Sequence, residues 1–134
     1  LADFGWLLEW LYETSHQSLS RFNQETTRLI AKSLGIETEF LSSTQLNVAG
    51  TKDDRLIEIC GAVGATSYLS GPAAQAYIVA EKFASAGIEL SYKDYGSYPV
   101  YPQLHGDFEP AVTILDLLLN CGKDAPHAIW GRRT

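Results

Sequence analysis

Methionine is absent from this 134-residue chain, even at position 1, and cysteine occurs only at Cys60 and Cys121. The missing start methionine predicts a processed chain or a fragment of a longer one. Both cysteines lie in apolar helical patterns, and two are too few for a disulfide framework, so we expect free, reduced thiols. The alternative is a Cys60–Cys121 disulfide, which requires that their two helices touch.

Long apolar runs and a basic leader are missing as well. No stretch reaches 18 apolar residues, which argues against a transmembrane helix in this sequence. Residues 1–12 are apolar but contain Asp3 and Glu9 and no basic residue, so they do not resemble a secretory signal peptide. Together these absences predict a cytoplasmic protein.

Basic residues are scarce: the sequence contains 10 Lys and Arg against 16 Asp and Glu, which gives a formal net charge of −6. This balance disfavours nucleic acid and anionic membrane surfaces as partners. The hydrophobic content of 46% and the length fit one globular domain with its own core. We expect a single α/β domain over residues 1–134, with a helical hairpin (1–35), an α/β core (36–122) and a tail (123–134).

Short alternating apolar segments, separated by helical patterns, organise the middle of the chain. The predicted strands are residues 36–42, 66–70 and 88–92. Helices between and after them begin at Thr51, Pro72 and Asp107, and glycines end them. Because strands linked by helical crossovers pair in parallel, the expected fold is α/β. It is a three-stranded, mostly parallel sheet flanked by helices, which is half of a doubly wound fold, with an N-terminal helical hairpin.

The first candidate site is the turn at Ser70 and Gly71, directly after the second predicted strand. Ligands of open α/β sheets bind beyond the carboxyl ends of strands. A glycine turn that leads into a helix at Pro72 also offers backbone N–H groups to an anion. The signal is weak, because most strand-to-helix turns bind nothing. The ligand expected here is an anionic or sugar-nucleotide small molecule.

The second candidate site is the loop after the third predicted strand, residues 98–110. Its candidate ligand-binding residues are Tyr98, Tyr101 and Gln103, and its candidate catalytic residues are His105, Asp107 and Glu109. A histidine beside carboxylates is a usable general acid or base, with Glu109 or Asp107 orienting His105. In the alternative interpretation, Asp107 caps the last helix, Glu109 faces its dipole and His105 bonds a loop carbonyl. The spacing matches no established metal motif, so no metal is predicted.

Asp116 is a third candidate, because it is a carboxylate inside the apolar run 114–119. A charge there is costly unless it is paired or solvated, so Asp116 either lies on the polar face of its helix or contacts a ligand. His16 and His127 are expected at the surface. A Ser-His-Asp motif, a P-loop and a GxGxxG motif are absent. We expect the turn at Gly71 and the segment around His105 to share one crevice, since parallel strands end at the same edge.

Five segments, taken together and in order, resemble the C-terminal half of the WbqC-like proteins. They are residues 54–60, 64–72, 83–90, 98–110 and 114–122. The resemblance implies a bacterial family tied to surface-polysaccharide gene clusters, with an N-terminal half that these 134 residues do not contain. It assigns no catalytic residue, but the turn at 70–72, the loop 98–110 and Asp116 all fall in matching segments.

The resemblance implies a group transferase that moves glycyl or aminoacyl groups in surface-polysaccharide modification. The alternative is a non-catalytic ligand-binding or assembly module, and neither function identifies a cofactor. An apolar surface that the N-terminal half would cover favours association between two chains when that half is absent. The aromatic segment 4–12 is therefore the expected face of a homodimer.

Overall fold

The computed structural model describes residues 3–15, 18–96 and 98–131. Its α-helices are α1 (Gly5–Glu13), α2 (Leu19–Ser33), α3 (Lys52–Ala62), α4 (Ala80–Ser85), α5 (Ile114–Cys121) and α6 (Ala125–Trp130). Its strands are β1 (Ser67–Ser70) and β2 (Glu89–Tyr92), and short 3₁₀ helices occupy Ser43–Gln45, Pro72–Ala76 and Gly122–Asp124. The protein therefore mixes helices with a small sheet, as the sequence predicts.

The described chain divides into two compact units, each with its own hydrophobic core. The first unit joins the N-terminal part, up to Glu39, to the C-terminal part from Tyr98 onward. The second unit is the stretch between Phe40 and Ser97. The single domain and its inner boundaries stay a prediction.

Four helices, α1, α2, α5 and α6, build the first unit. Leu7 of α1 and Leu118 of α5 are each only 1% exposed and belong to one core cluster. Burial of a leucine side chain contributes about 2 kcal/mol, so these contacts bring the two ends of the chain together. Trp10 of α1 also stacks on Phe22 of α2 with ring centroids 5.8 Å apart. The predicted pair of N-terminal helices is therefore present.

The second unit is built around a two-stranded parallel sheet, in which β1 pairs with β2 from Ser67 opposite Glu89 to Ser70 opposite Tyr92. Phe83 of α4 is fully buried and stacks on Tyr68 of β1, with ring centroids 5.4 Å apart. The structure thus confirms that the second and third predicted strands run side by side in the same direction.

The sheet has two strands, and the strand predicted at 36–42 is not confirmed. Ile36 packs on the core of the first unit, whereas Phe40 and Leu41 are exposed. The apolar residues of this segment therefore do not share one buried face, as a strand requires. The segment instead carries the chain from the first unit to the second.

One predicted helix is interrupted, and one predicted helix cap does not form. The helix expected from Pro72 to Gly87 is broken into a 3₁₀ helix and α4. The N–H of Val79, which a continuous helix would use internally, instead donates to the buried Asp53 carboxylate at 3.0 Å. Thr51 precedes α3 but makes no capping hydrogen bond with its side chain. The loop before α3 is held instead by Arg55, which donates to the Val48 carbonyl at 3.0 Å.

Two further expectations concern the thiols and the membrane. Cys60 and Cys121 are free thiols in different units, which confirms the prediction of no disulfide between them. Among the residues the structure describes, no helix has the length and apolar character that a bilayer span requires.

Candidate functional site

A polar network around Asp116 lies at the start of α5 in the first unit. The Tyr101 hydroxyl donates to Asp116 Oδ2 at 2.7 Å, and Gln103 Nε2 donates to the same oxygen at 2.9 Å. Asn120, one turn further along α5, donates through Nδ2 to Asp116 Oδ1 at 3.1 Å. Both carboxylate oxygens are therefore hydrogen-bonded, which explains how a charge is tolerated in an apolar run.

Gln103 also fixes the backbone of the loop before α5. Its Nε2 donates to the Glu109 carbonyl at 3.0 Å, and its Oε1 accepts from the Glu109 N–H at 2.8 Å. The Glu109 carboxylate in turn accepts from the Ala111 N–H at 2.7 Å. The Glu109 carbonyl and the Ala111 N–H would form internal hydrogen bonds in a helix that starts after Asp107. Because side chains bind them here, α5 begins at Ile114 instead. The predicted Asp107 cap is wrong for this reason.

Hydrogen bonding sets the protonation states of the network. The bond from Tyr101, followed by those from Gln103 and Asn120, lowers the pKa of Asp116 in spite of partial burial, which acts in the opposite direction. Burial, reinforced by the Asp116 bond, raises the pKa of Tyr101. At neutral pH an ionised carboxylate is thus held by a neutral phenol and two neutral amides.

A pocket of about 360 Å³ lies next to this network, also within the first unit. It is lined by Pro99, Val100, Tyr101, Pro102, Asn120, Cys121, Asp124, His127 and Ala128. Tyr101 and Asn120 belong both to the pocket wall and to the Asp116 network, so the network holds part of the wall in place. This volume is at the lower end of the range for small-molecule sites.

The pocket wall combines a thiol, a carboxylate and an imidazole. Burial, followed by the charges of Asp124 and Asp116, raises the pKa of the Cys121 thiol, so Cys121 is protonated at neutral pH. His127 is exposed on α6 and Asp124 immediately precedes that helix. The wall can therefore bind a small polar molecule, but it does not hold an activated thiolate.

The structure brings four of the predicted site residues into one hydrogen-bonded group: Tyr101, Gln103, Glu109 and Asp116. His105 and Asp107 are exposed, in bends of the same loop, and neither makes a side-chain hydrogen bond or ion pair with another described residue. Tyr98 is also exposed. The role of His105 as an acid or base oriented by Glu109 or Asp107 stays a prediction.

Ser70 and Gly71 belong to the second unit, whereas the other predicted site residues belong to the first. Ser70 is buried, and its carbonyl accepts from the Lys93 N–H at 2.8 Å. The helix after Gly71 is a five-residue 3₁₀ helix, and the anion site expected at its start stays a prediction. Gly71 has φ −72°, and an added Cβ would meet nothing within 4 Å, so no close approach requires a glycine there.

The sequence interpretation missed the far side of the pocket: Asn120, Cys121, Asp124 and His127. The spacing of Asp116 and Asn120, four residues apart on a helix, is a signal for their hydrogen bond. Cys121 ends α5, and Asp124 and His127 follow it at helical spacings, but Gly122 separates these two residues from the apolar stripe. No group of three or more potential metal ligands occurs among the residues that the structure describes.

The fold and the site define a small mixed helix-and-strand protein with a pocket supported by a half-buried carboxylate network. The model of the WbqC-like protein family matches residues 2–128, and the chain belongs to that family. It is 40% identical over 129 residues to the uncharacterized protein Rv1507c of Mycobacterium tuberculosis. The alignment covers 93% of this chain and 56% of that protein, so the chain spans about half the length of this relative. No solved structure matches the chain.

Proposed function

We propose that this chain binds a small molecule in the first-unit pocket and serves group transfer in surface-polysaccharide modification. The observation that carries the binding function is the shared wall: Tyr101 and Asn120 line the pocket and are held by Asp116. Preorganised polar groups around an open pocket are typical of ligand sites. The transfer of a glycyl or aminoacyl group is the step that the resemblance to the family implies.

A second candidate is binding without chemistry, and one observation favours it. Cys121 is the nucleophile of the pocket wall, and it is kept protonated by burial and by neighbouring carboxylates. The carboxylate of Asp116 already accepts hydrogen bonds from three neutral side chains. A binding or assembly module needs only the wall, whereas a transferase needs an acid or base as well, which His127 or His105 can supply.

A thermal-shift screen tests the binding function on the 134-residue chain itself. The panel holds sugar nucleotides, neutral sugars, amino sugars, amino acids and divalent metals. A ligand at about 100 times its Kd stabilises the chain by about 2.7 kcal/mol, which is an easily measured shift. We expect at least one small molecule of the panel to raise the Tm. Unchanged Tm values with every compound contradict the proposal.

Two matched histidine variants locate the site. His127→Ala removes an exposed side chain from the pocket wall, and His105→Ala removes an exposed side chain from the loop outside that wall. We expect His127→Ala to reduce the ligand-induced shift and His105→Ala to preserve it. The reverse result favours the site predicted around His105 and rejects the pocket.

A further inference from the structure

Asp124 is the one carboxylate residue among the described residues that line the first-unit pocket. None of these described lining residues is lysine or arginine. Lys123, the nearest basic residue in sequence, has its Nζ 3.9 Å from Asp3 Oδ1 and does not line the pocket. A ligand with several negative charges would face the Asp124 carboxylate, with the His127 imidazole as the one basic side chain on the described wall.

Asn120 and Asp124 each offer a hydrogen-bond acceptor on the wall. Asn120 uses its amide nitrogen on Asp116, which leaves its side-chain carbonyl oxygen as the group it can offer. Asp124 precedes α6 but makes no side-chain cap bond to it. Its carboxylate also makes no ion pair with another residue in the described part of the chain. An ammonium group, with three donors and a positive charge, complements such a wall.

The thiol of Cys121 supports the same sign of potential. Burial contributes most to the raised pKa of Cys121, and the charges of Asp124 and Asp116 add to it. Negative charge therefore acts at a point on the pocket wall itself.

We propose that the pocket binds a small molecule through a primary ammonium group, held by the Asp124 carboxylate and the Asn120 side-chain carbonyl. This inference rests on the proposed binding function and specifies the ligand's charge. It departs from the anionic or sugar-nucleotide ligand expected from the sequence. An amino sugar, an amino acid amide and a diamine share the required group.

The rate at which charged reagents label Cys121 measures the electrostatic potential at the pocket wall directly in the unmodified chain. Labelling of Cys121 by aminoethyl and by sulfonatoethyl methanethiosulfonate is followed by peptide mass spectrometry at about pH 7, where carboxylates are ionised. Each rate is divided by that of free mercaptoethanol, which removes the intrinsic difference between the reagents. We expect the cationic reagent to label Cys121 about three- to tenfold faster than the anionic one at low salt, and the preference to disappear near 1 M salt.

Two charge-neutralising variants make the test specific. Asp124→Asn should lower the ratio of the two rates toward one, with the charge of Asp116 accounting for the preference that remains. Glu37→Gln, which changes an exposed first-unit carboxylate outside the pocket wall by the same charge, should leave it unchanged. A ratio of one or less in the original chain, an unreactive Cys121, or an Asp124→Asn variant that keeps the full preference would each overturn the proposal.

Protection of Cys121 then identifies the source of the amine. Glucosamine, glycinamide and putrescine are compared with glucose and acetamide as matched compounds without an amine. Slower labelling with at least one amine, and not with its matched compound, supports the proposal and shows which source fits. Protection only by sugar nucleotides or neutral sugars overturns the ammonium ligand while the proposed binding function stands. The absence of protection and of any thermal shift overturns both.

Discussion

At the scale of single residues, Asp116 is the group on which the site depends. It is half-buried, and its two oxygens accept hydrogen bonds from Tyr101, Gln103 and Asn120. The bond from Tyr101 contributes most to the lowered pKa of Asp116. A group whose pKa is lowered by folding stabilises the native state above its unfolded pKa, about 3.9 for aspartate. That stabilisation is lost as the pH falls through the folded pKa.

Tyr101→Phe removes the hydroxyl and keeps the ring packed against Phe108, whose centroid is 5.2 Å away. We expect the free energy of unfolding to fall by about 1.5 kcal/mol at neutral pH, because a hydrogen bond to a charged group is lost. The difference should shrink as the pH falls from about 3.9, the unfolded pKa of aspartate, through the lower pKa of Asp116 in the folded chain. Denaturant unfolding at neutral pH and at about pH 3 measures both values.

Tyr68→Phe is the matched control for this prediction. Tyr68 stacks on Phe83, and its hydroxyl makes no hydrogen bond to a residue in the described ranges. We expect a small effect that does not depend on pH. A Tyr101→Phe variant with an equally small, pH-independent effect would show that Asp116 is not stabilised by this bond.

At the scale of elements, the sequence predicts the interiors of helices and strands better than their ends. Apolar periodicity indicated both paired strands, and the glycine after α5 was recognised as its stop. One predicted helix is interrupted and another begins later than predicted, because side chains outside them bind the backbone groups involved: Asp53 binds the Val79 N–H, and Gln103 binds Glu109. Tertiary contacts of this kind override local propensity and leave no helical pattern that the sequence would reveal.

The Asp53 bond connects α3 to the segment before α4 across 26 positions. Asp53→Ala leaves the Val79 N–H without its partner, so we expect a loss of about 1–3 kcal/mol in the free energy of unfolding. Asp53→Asn keeps an acceptor and should lose less. Asp54→Ala removes the neighbouring carboxylate, whose partner Lys82 lies at the surface, and should change the stability far less. Equal losses for Asp53→Ala and Asp54→Ala would contradict the structural role of Asp53.

At the scale of the whole molecule, the chain folds into two units, and the first unit combines residues from both ends of the sequence. The N-terminal helices share a core with the C-terminal ones, and the sheet lies in the stretch between them. Local patterns do not indicate this pairing of the chain ends, because it is set by apolar contacts such as those in the cluster of Leu7 and Leu118. His127 on α6 is exposed, as predicted, but its place on the pocket wall was not predicted, because α6 and the loop 98–110 are separate in sequence.

The sequence did locate part of the site. Tyr101 and Gln103 are candidates because polar side chains are clustered in their loop. Asp116 is a candidate because a carboxylate in an apolar helix is costly unless it is paired or solvated. Their connection through three hydrogen bonds required the structure. The turn at Ser70 and Gly71 was selected by its place after a strand, a feature that the many turns without a ligand share.

The central claim is that the ligand site is the first-unit pocket, and backbone amide NMR tests it most directly. The ¹⁵N-labelled chain is titrated with glucosamine and, separately, with a uridine-diphosphate sugar. The account predicts saturable chemical-shift changes with glucosamine, concentrated at residues 100–103 and 120–128. Changes confined to residues 70–72 and 105–109, or none with either compound, would contradict it.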